Sequence, residues 1–178
     1  MDYSQIESNS IVLNISTKPL EEILRDCISI QKLQAEEREL KLDYSISPTC
    51  PEIITTDTHR LQQIIINLIS NSIKYTLKHG EVCLNADYKD SKILISVIDT
   101  GVGIDQNELK KLFKPYTKIM SNRSLNKQGC GLGLTISRLL ANALGGDIQV
   151  ESEVAKGSKF TVVLPQYDEE FEKNIGKF

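Results

Sequence analysis

Apolar residues recur along this chain with two periods, and the switches between them mark its elements. Leu20, Ile23, Leu24, Cys27, Ile28 and Gln31 follow helical spacing. Thr17 is placed to cap this helix and Pro19 to open it, since proline fits a first turn. The preceding IVLNI, residues 11–15, alternates as a short strand. From 40 to 46 the period changes to two, with Leu40, Leu42, Tyr44 and Ile46 on one face. SPTCP is a turn and EIITT another short strand. Asp57 is placed to cap a second helix whose apolar face is Leu61, Ile64, Ile65, Leu68 and Ser72, and which His79–Gly80 should end. EVCLNADY and KILISVID, joined by KDS, read as a hairpin.

TGVGIDQNELKKLF reads as a turn and then a short helix begun near Asp105. Residues 116–130 show no period and are rich in Ser, Asn and Lys, as in a long mobile loop. GLGLTISRLLANALGG becomes an apolar helix closed by Gly145–Gly146. DIQVES and SKFTVVLP frame a turn at Lys156–Gly157. Strands cluster and helices do not alternate strictly with them. The expected fold is therefore α+β: a two-layer sandwich, one mixed and mainly antiparallel sheet with three helices on one face. Residues 11–166 carry this pattern as one domain. Residues 1–10 are polar, a helix tail or linker, and 167–178 form an acidic-then-basic tail or linker. No internal repeat is visible.

Composition removes several function classes. The 178 residues carry a formal charge of −3 and no basic block, which argues against nucleic-acid binding. Cys27, Cys50, Cys83 and Cys130 lie far apart, and His59 and His79 are the only histidines, so a zinc site is not expected. Reduced thiols in a cytosolic compartment are the simplest reading. No run approaches the roughly 20 apolar residues that span a bilayer, so any membrane anchor is expected outside these residues.

Chemistry enters with NLISNSIKYT in the second helix. Gln63, Asn67, Asn71 and Lys74 fall on one stripe by steps of four and three. A lone Asn on a helix is ordinarily a solvated residue. Here Ile66 and Ile69 flank the stripe and make it too apolar for open water, so a cleft with a polar ligand fits better. An Asn oxygen is a hard donor of the kind Mg²⁺ takes, with phosphate oxygens and waters completing its shell. Lys74 can meet a phosphate as a point charge. DTGVGI follows an apolar strand directly. Its Gly101 and Gly103 permit a tight turn and close approach of a flat ring. Asp99 offers an acceptor that suits the amino group of adenine and repels the oxygen of guanine. GCGLGL opens a helix and can cradle phosphate on backbone N–H groups, although it is neither a Walker loop nor a dinucleotide fingerprint. In LFKPYTKI, Phe113 and Tyr116 read either as core or as the anchor of a lid. Lys118, Arg123 and Lys127 read either as a solvated loop or as charge that closes over phosphates.

In order, NLISNSIKYT, DTGVGI, LFKPYTKI and GCGLGL, followed by GSKFTVVLP, resemble the N, first-glycine, F and second-glycine boxes of the histidine-kinase catalytic domain. That domain belongs to a superfamily shared with gyrase, heat-shock chaperone and mismatch-repair ATPases. The resemblance covers residues 11–166, and DYSQIES looks like the end of a dimerisation helix. It implies a protein histidine kinase that binds ATP with Mg²⁺. Asn71 is the implied metal ligand, and Asn71 and Lys74 the implied catalytic contacts. Nucleotide contacts are implied at Asn67, Tyr75, Asp99, Gly101, Gly103, Ile104, Tyr116, Lys118, Arg123, Gly129, Gly131, Leu132, Gly133 and Thr161. The implied partners are a dimerisation and phosphoacceptor domain of the same protein and a response regulator or receiver domain. The implied setting is cytoplasmic, and residues 11–166 alone should be monomeric.

Asn67 stands where the ATP-hydrolysing relatives typically carry a Glu that activates water. An amide is no general base at neutral pH, so hydrolysis should be poor. Neither histidine has the surroundings of a phosphoacceptor, which is expected upstream. Cys130 stands where the family commonly has Thr or Ser. An ATPase of the same superfamily, a serine or anti-sigma-type kinase, and a degenerate domain used only for interaction are the alternatives.

Overall fold

The computed structural model describes residues 12–115 and 131–166. Its first strand, β1 (Ser16–Pro19), starts later than the predicted 11–15 stretch, and residues 12–15 are not strand. Pairing decides this. Ser16 to Pro19 are antiparallel to Thr56 to Ile53 of β3 (Ile53–Thr56), whereas Asn14 gives its backbone N–H to Asp57 Oδ2 at 2.9 Å. Thr17 is therefore a strand residue, its hydroxyl 3.0 Å from that of Thr55, and not a helix cap. Pro19 takes the cap position of α1 (Leu20–Glu37) with no side-chain cap bond.

Helix α1 buries Leu20, Ile23, Leu24, Cys27, Gln31 and Ala35 along one face. It ends with Glu39 in the left-handed region at φ 57°, while Glu39 and Leu40 return their N–H groups to Glu36 and Ala35. Helix α2 (Thr58–Tyr75) starts as predicted, with Asp57 Oδ1 accepting the Arg60 N–H at 3.0 Å. Its predicted face is the centre of the core: Leu61, Ile64, Ile65 and Leu68 are fully buried and Ser72 nearly so. Each such aliphatic side chain contributes about 1.5–3 kcal/mol.

Helix α2 stops at Tyr75, not at His79–Gly80. The adjoining Thr76 and tertiary partners take its last carbonyls, so a terminal glycine is not needed. Ser72 O accepts from the Thr76 N–H at 3.0 Å and the Thr76 hydroxyl at 2.7 Å. Arg38 Nη1 donates to Ile73 O and Lys74 O at 3.4 and 3.0 Å. Tyr75 O accepts the Val102 N–H at 3.2 Å.

The main sheet has five strands: β2 (Lys41–Ile46), β4 (Glu81–Lys89), β5 (Lys92–Asp99), β6 (Asp147–Glu153) and β7 (Gly157–Pro165). Their order is β2-β4-β5-β7-β6. Only β2 with β4 is parallel, so the sheet is mixed and mainly antiparallel, as expected. β1 and β3 form a separate two-stranded ribbon instead of joining it. The β4–β5 hairpin turns on Asp90 and Ser91, both at positive φ, as a two-residue hairpin with strand-matched twist requires. Alternate residues of the sheet, among them Val82, Leu84, Ile95, Val97, Phe160 and Val162, pack with the apolar faces of α1, α2 and α4 (Gly133–Ala143) in one core. The short α3 (Gln106–Leu109) is capped by Asp105, which accepts from the Asn107 N–H. Helix α4 closes as predicted, with Gly145 at φ 78°.

Candidate functional site

Strand β5 ends at Asp99, which period two turns toward the helices with Ile95 and Val97. The residue is 6% exposed. Oδ2 accepts the Ser72 hydroxyl at 2.9 Å, and Oδ1 accepts the backbone N–H groups of Gly101 at 2.9 Å and Ser158 at 3.1 Å. Burial pushes its carboxyl above the usual aspartate range, and these three donors act in the opposite sense. The acceptor is thus fixed by α2, β7 and the turn after β5.

The two glycines of that turn let the chain's own backbone close in. A Cβ on Gly101 would lie 2.7 Å from Tyr75 O, and one on Gly103, at φ 68°, would lie 2.0 Å from Glu153 O. Ser152 Oγ accepts the Ile104 N–H at 2.9 Å, and Ala155 donates to Val102 O at 2.8 Å. The end of α2 and the β6–β7 turn therefore clamp DTGVGI from two sides.

Between these parts lies a cavity of about 400 Å³, counting the space open to solvent at its mouth. Helix α2 lines it with Asn71, Ser72 and Tyr75; the 99–104 segment with Asp99, Val102, Gly103 and Ile104; and the rest of the chain with Leu112, Leu134, Ser158 and Phe160. Of the predicted site residues, Asn71, Tyr75, Asp99, Gly103 and Ile104 thus meet at one cavity, with Gly101 bonded to Asp99 at its edge. Lys74 stands its ammonium 5.0 Å from the centroid of the Tyr75 ring. Asn67, one turn before Asn71, is half-buried and donates from Nδ2 to Ser137 Oγ at 2.8 Å. Gly131, at φ 74°, Leu132 and Gly133 lead into α4, whose N-terminus has no side-chain cap. Phe113 packs against the core, with the Arg138 guanidinium 4.8 Å from its ring centroid.

Thr161 is the predicted contact that the structure moves. It lies on the opposite face of the sheet, its hydroxyl 2.9 Å from that of Ser96, because β7 alternates and turns Ser158 and Phe160 to the cavity. Tyr116, Lys118, Arg123 and Gly129 lie outside the described residues, as do Lys127 and Cys130. Residues the sequence reading missed are Ser72, Val102, Leu112, Leu134, Ser158 and Phe160. Period two from Asp99 and across the β5–β7 pair marks Ser158, whose Cα faces that of Asp99. Ser72 was hidden as a small residue on the apolar face. His59 and His79 are exposed and do not line the cavity. Among the described residues, no cluster of His, Cys, Asp or Glu is built to hold a metal ion.

Fold and cavity define the class first: an α+β sandwich whose cavity lies between the helix layer and the end of the sheet. The chain superposes on full-length ShkA, solved in complex with AMPPNP, with a TM-score of 0.81 and 28% identity over 92% of this chain and 33% of that one. The family model described as "Histidine kinase-, DNA gyrase B-, and HSP90-like ATPase" matches residues 56–168, and the chain belongs to that family. It is 36% identical to hybrid signal transduction histidine kinase B of Dictyostelium discoideum, over 93% of this chain and 9% of that protein. It is also 36% identical to the aerobic respiration control sensor protein ArcB of Escherichia coli, over 92% of this chain and 21% of that protein. The chain thus spans only about a tenth to a fifth of the length of these curated relatives.

Proposed function

We propose that this chain is the ATP-binding catalytic domain of a sensor histidine kinase, which holds Mg²⁺-ATP and presents the γ-phosphate to a histidine on a separate dimerisation and phosphoacceptor domain, for onward transfer to a response regulator. The observation that carries the reading is Asp99. It is a buried carboxylate on the wall of a cavity, across from Asn71 and Tyr75. The Ser72 hydroxyl and the Gly101 and Ser158 N–H groups all donate to it, so it is held as an acceptor, which selects the adenine amino group. The uncapped start of α4, after Gly131, offers backbone N–H groups for phosphate.

The donor set fits magnesium through the ligand. With no carboxylate cluster among the described residues, Asn71 contributes its side-chain oxygen and the nucleotide phosphates must supply most of the remaining charge. When bound, the ion neutralises phosphate charge in the manner general to phosphoryl transfer. The chain's own groups hold the adenine at Asp99, close the wall with Tyr75 and Ile104, and orient the polyphosphate between α2 and α4. Asn67 gives its amide proton to Ser137 and provides no base for water, which supports transfer over hydrolysis.

Calorimetric titration with ATP, with and without Mg²⁺, tests the reading. Binding of ATP over GTP is expected, and Asn71→Ala should weaken the Mg²⁺-dependent component more than the Mg²⁺-independent one. Incubation with radiolabelled ATP should leave the chain unlabelled, because His59 and His79 stand away from the cavity. Stable label on either histidine, or equal affinity for ATP and GTP, would count against the proposal.

A further inference from the structure

The Asn67 amide is gripped from two sides of one helix. Its Nδ2 donates to Ser137 Oγ at 2.8 Å, and Ser137 is 2% exposed in the second turn of α4. Its Oδ1 faces Gly133 at the start of the same helix, so closely that a Cβ on Gly133 would lie 2.6 Å from Oδ1 and 3.3 Å from Cγ and Nδ2. Between those two positions Leu134 reaches the cavity, and one turn along α2 from Asn67 lies Asn71, also on the cavity wall. The side chain of Asn67 thus bridges α2 to the first two turns of α4 at the end of the helix that opens toward the cavity. A half-buried primary amide bonded to a buried hydroxyl on the neighbouring helix is restrained, and the bond restrains the two helices against each other.

We propose that Ser137 is a positioning residue: through the Asn67 amide it locks the N-terminal turn of α4 against α2, and so sets the affinity for the polyphosphate of the nucleotide while leaving recognition of the purine alone. The inference rests on the proposed function, which puts phosphate at the start of α4 and the purine at Asp99. Ser137 touches neither. Its hydroxyl acts only on the orientation of Asn67, and a side chain at Gly133 would meet Oδ1 and displace the amide from its place beside Ser137.

Four measurements on the whole chain test this. In Ser137→Ala, affinity for Mg²⁺-ATP should fall about 3- to 10-fold, the effect of one neutral hydrogen bond, with affinity for adenosine unchanged. In an Asn67→Ala background the same substitution should cost nothing further, because the partner is gone. Gly133→Ala, which leaves Ser137 intact, should reproduce the loss for ATP. The fourth measurement needs no nucleotide. The side-chain amide protons of Asn67, followed by ¹⁵N NMR, should exchange slowly in the unaltered chain and fast in Ser137→Ala. Equal losses for ATP and adenosine, or a full additional loss in the Asn67→Ala background, would overturn the positioning role. Should the unaltered chain bind no nucleotide, the proposed function falls and this inference with it. The amide spectrum then still separates the two failures: a changed exchange rate shows that the bond exists without the role, and an unchanged one that it does not exist.

Discussion

Asp99 accepts three hydrogen bonds from the protein itself, and burial nevertheless pushes its carboxyl up. Two pH dependences follow. A raised folded value means the stability it contributes is present below the ordinary aspartate value of about 3.9 and is lost as pH rises through the raised value. Asp99→Asn removes that titration. In urea unfolding from acid to neutral pH, the stability of the unaltered chain relative to the variant should therefore fall as pH rises across that window; a constant difference would reject the burial argument. Adenine recognition runs the other way. It needs the ionised acceptor, so ATP affinity of the unaltered chain should weaken as pH drops through the raised value, and Asp99→Asn should cost about 1–3 kcal/mol of affinity at neutral pH. At this scale the sequence was most informative where a residue type is odd for its setting. Asn71 lies inside a helix and Asp99 ends an apolar strand, and both reach the cavity. Ser72 was invisible for the opposite reason: serine at an apolar helical position is unremarkable until its hydroxyl is seen on Asp99. Thr161 shows the limit of a motif, since one step along a strand reverses the face.

The elements were legible wherever local chemistry alone ends them. Asp57 and Asp105 cap their helices, and Gly145 closes α4 in the left-handed region. Boundaries set by distant residues were not legible. Helix α2 ends where Arg38 and Val102 reach its carbonyls. Likewise β1 lies where β3 pairs with it, not where apolar residues alternate. Arg38 gives this a test. It stands just beyond α1 and donates to Ile73 O and Lys74 O, so one guanidinium ties the ends of two helices together. Arg38→Met keeps the apolar stem and removes the donors. The expected loss is about 0.5–1.5 kcal/mol in urea unfolding, at unchanged m-value. Because Tyr75 follows directly and lines the cavity, a loosened α2 end should also weaken nucleotide binding. Unchanged stability would mean that water serves those carbonyls as well as the arginine does.

Across the whole molecule, the cavity is a seam between parts distant in sequence. Helix α2, the turn after β5, the start of α4 and the edge of β7 meet there, and Asp99 alone joins three of them by hydrogen bonds. Among the described residues no helix is long and apolar enough to cross a membrane, and the fold buries its apolar surface in the single core beneath the sheet. A ligand seated in such a seam binds the assembled parts and not the unfolded chain. It must therefore stabilise the fold as a unit by RT ln(1 + [L]/Kd), which is about 2.7 kcal/mol at a hundredfold excess over Kd. For a chain of this size each kcal/mol raises Tm by roughly 2–4 °C, so saturating Mg²⁺-ATP should raise the melting temperature by about 5–11 °C. GTP at the same concentration should give little shift, because its oxygen would meet the Asp99 carboxylate. At the same ATP concentration Asp99→Asn should lose roughly a third to nine-tenths of the ATP shift, for an affinity loss of about 1–3 kcal/mol, while still melting cooperatively. Scanning calorimetry of both chains with each nucleotide reads all of this, and equal shifts with ATP in the two chains would place the purine away from the seam.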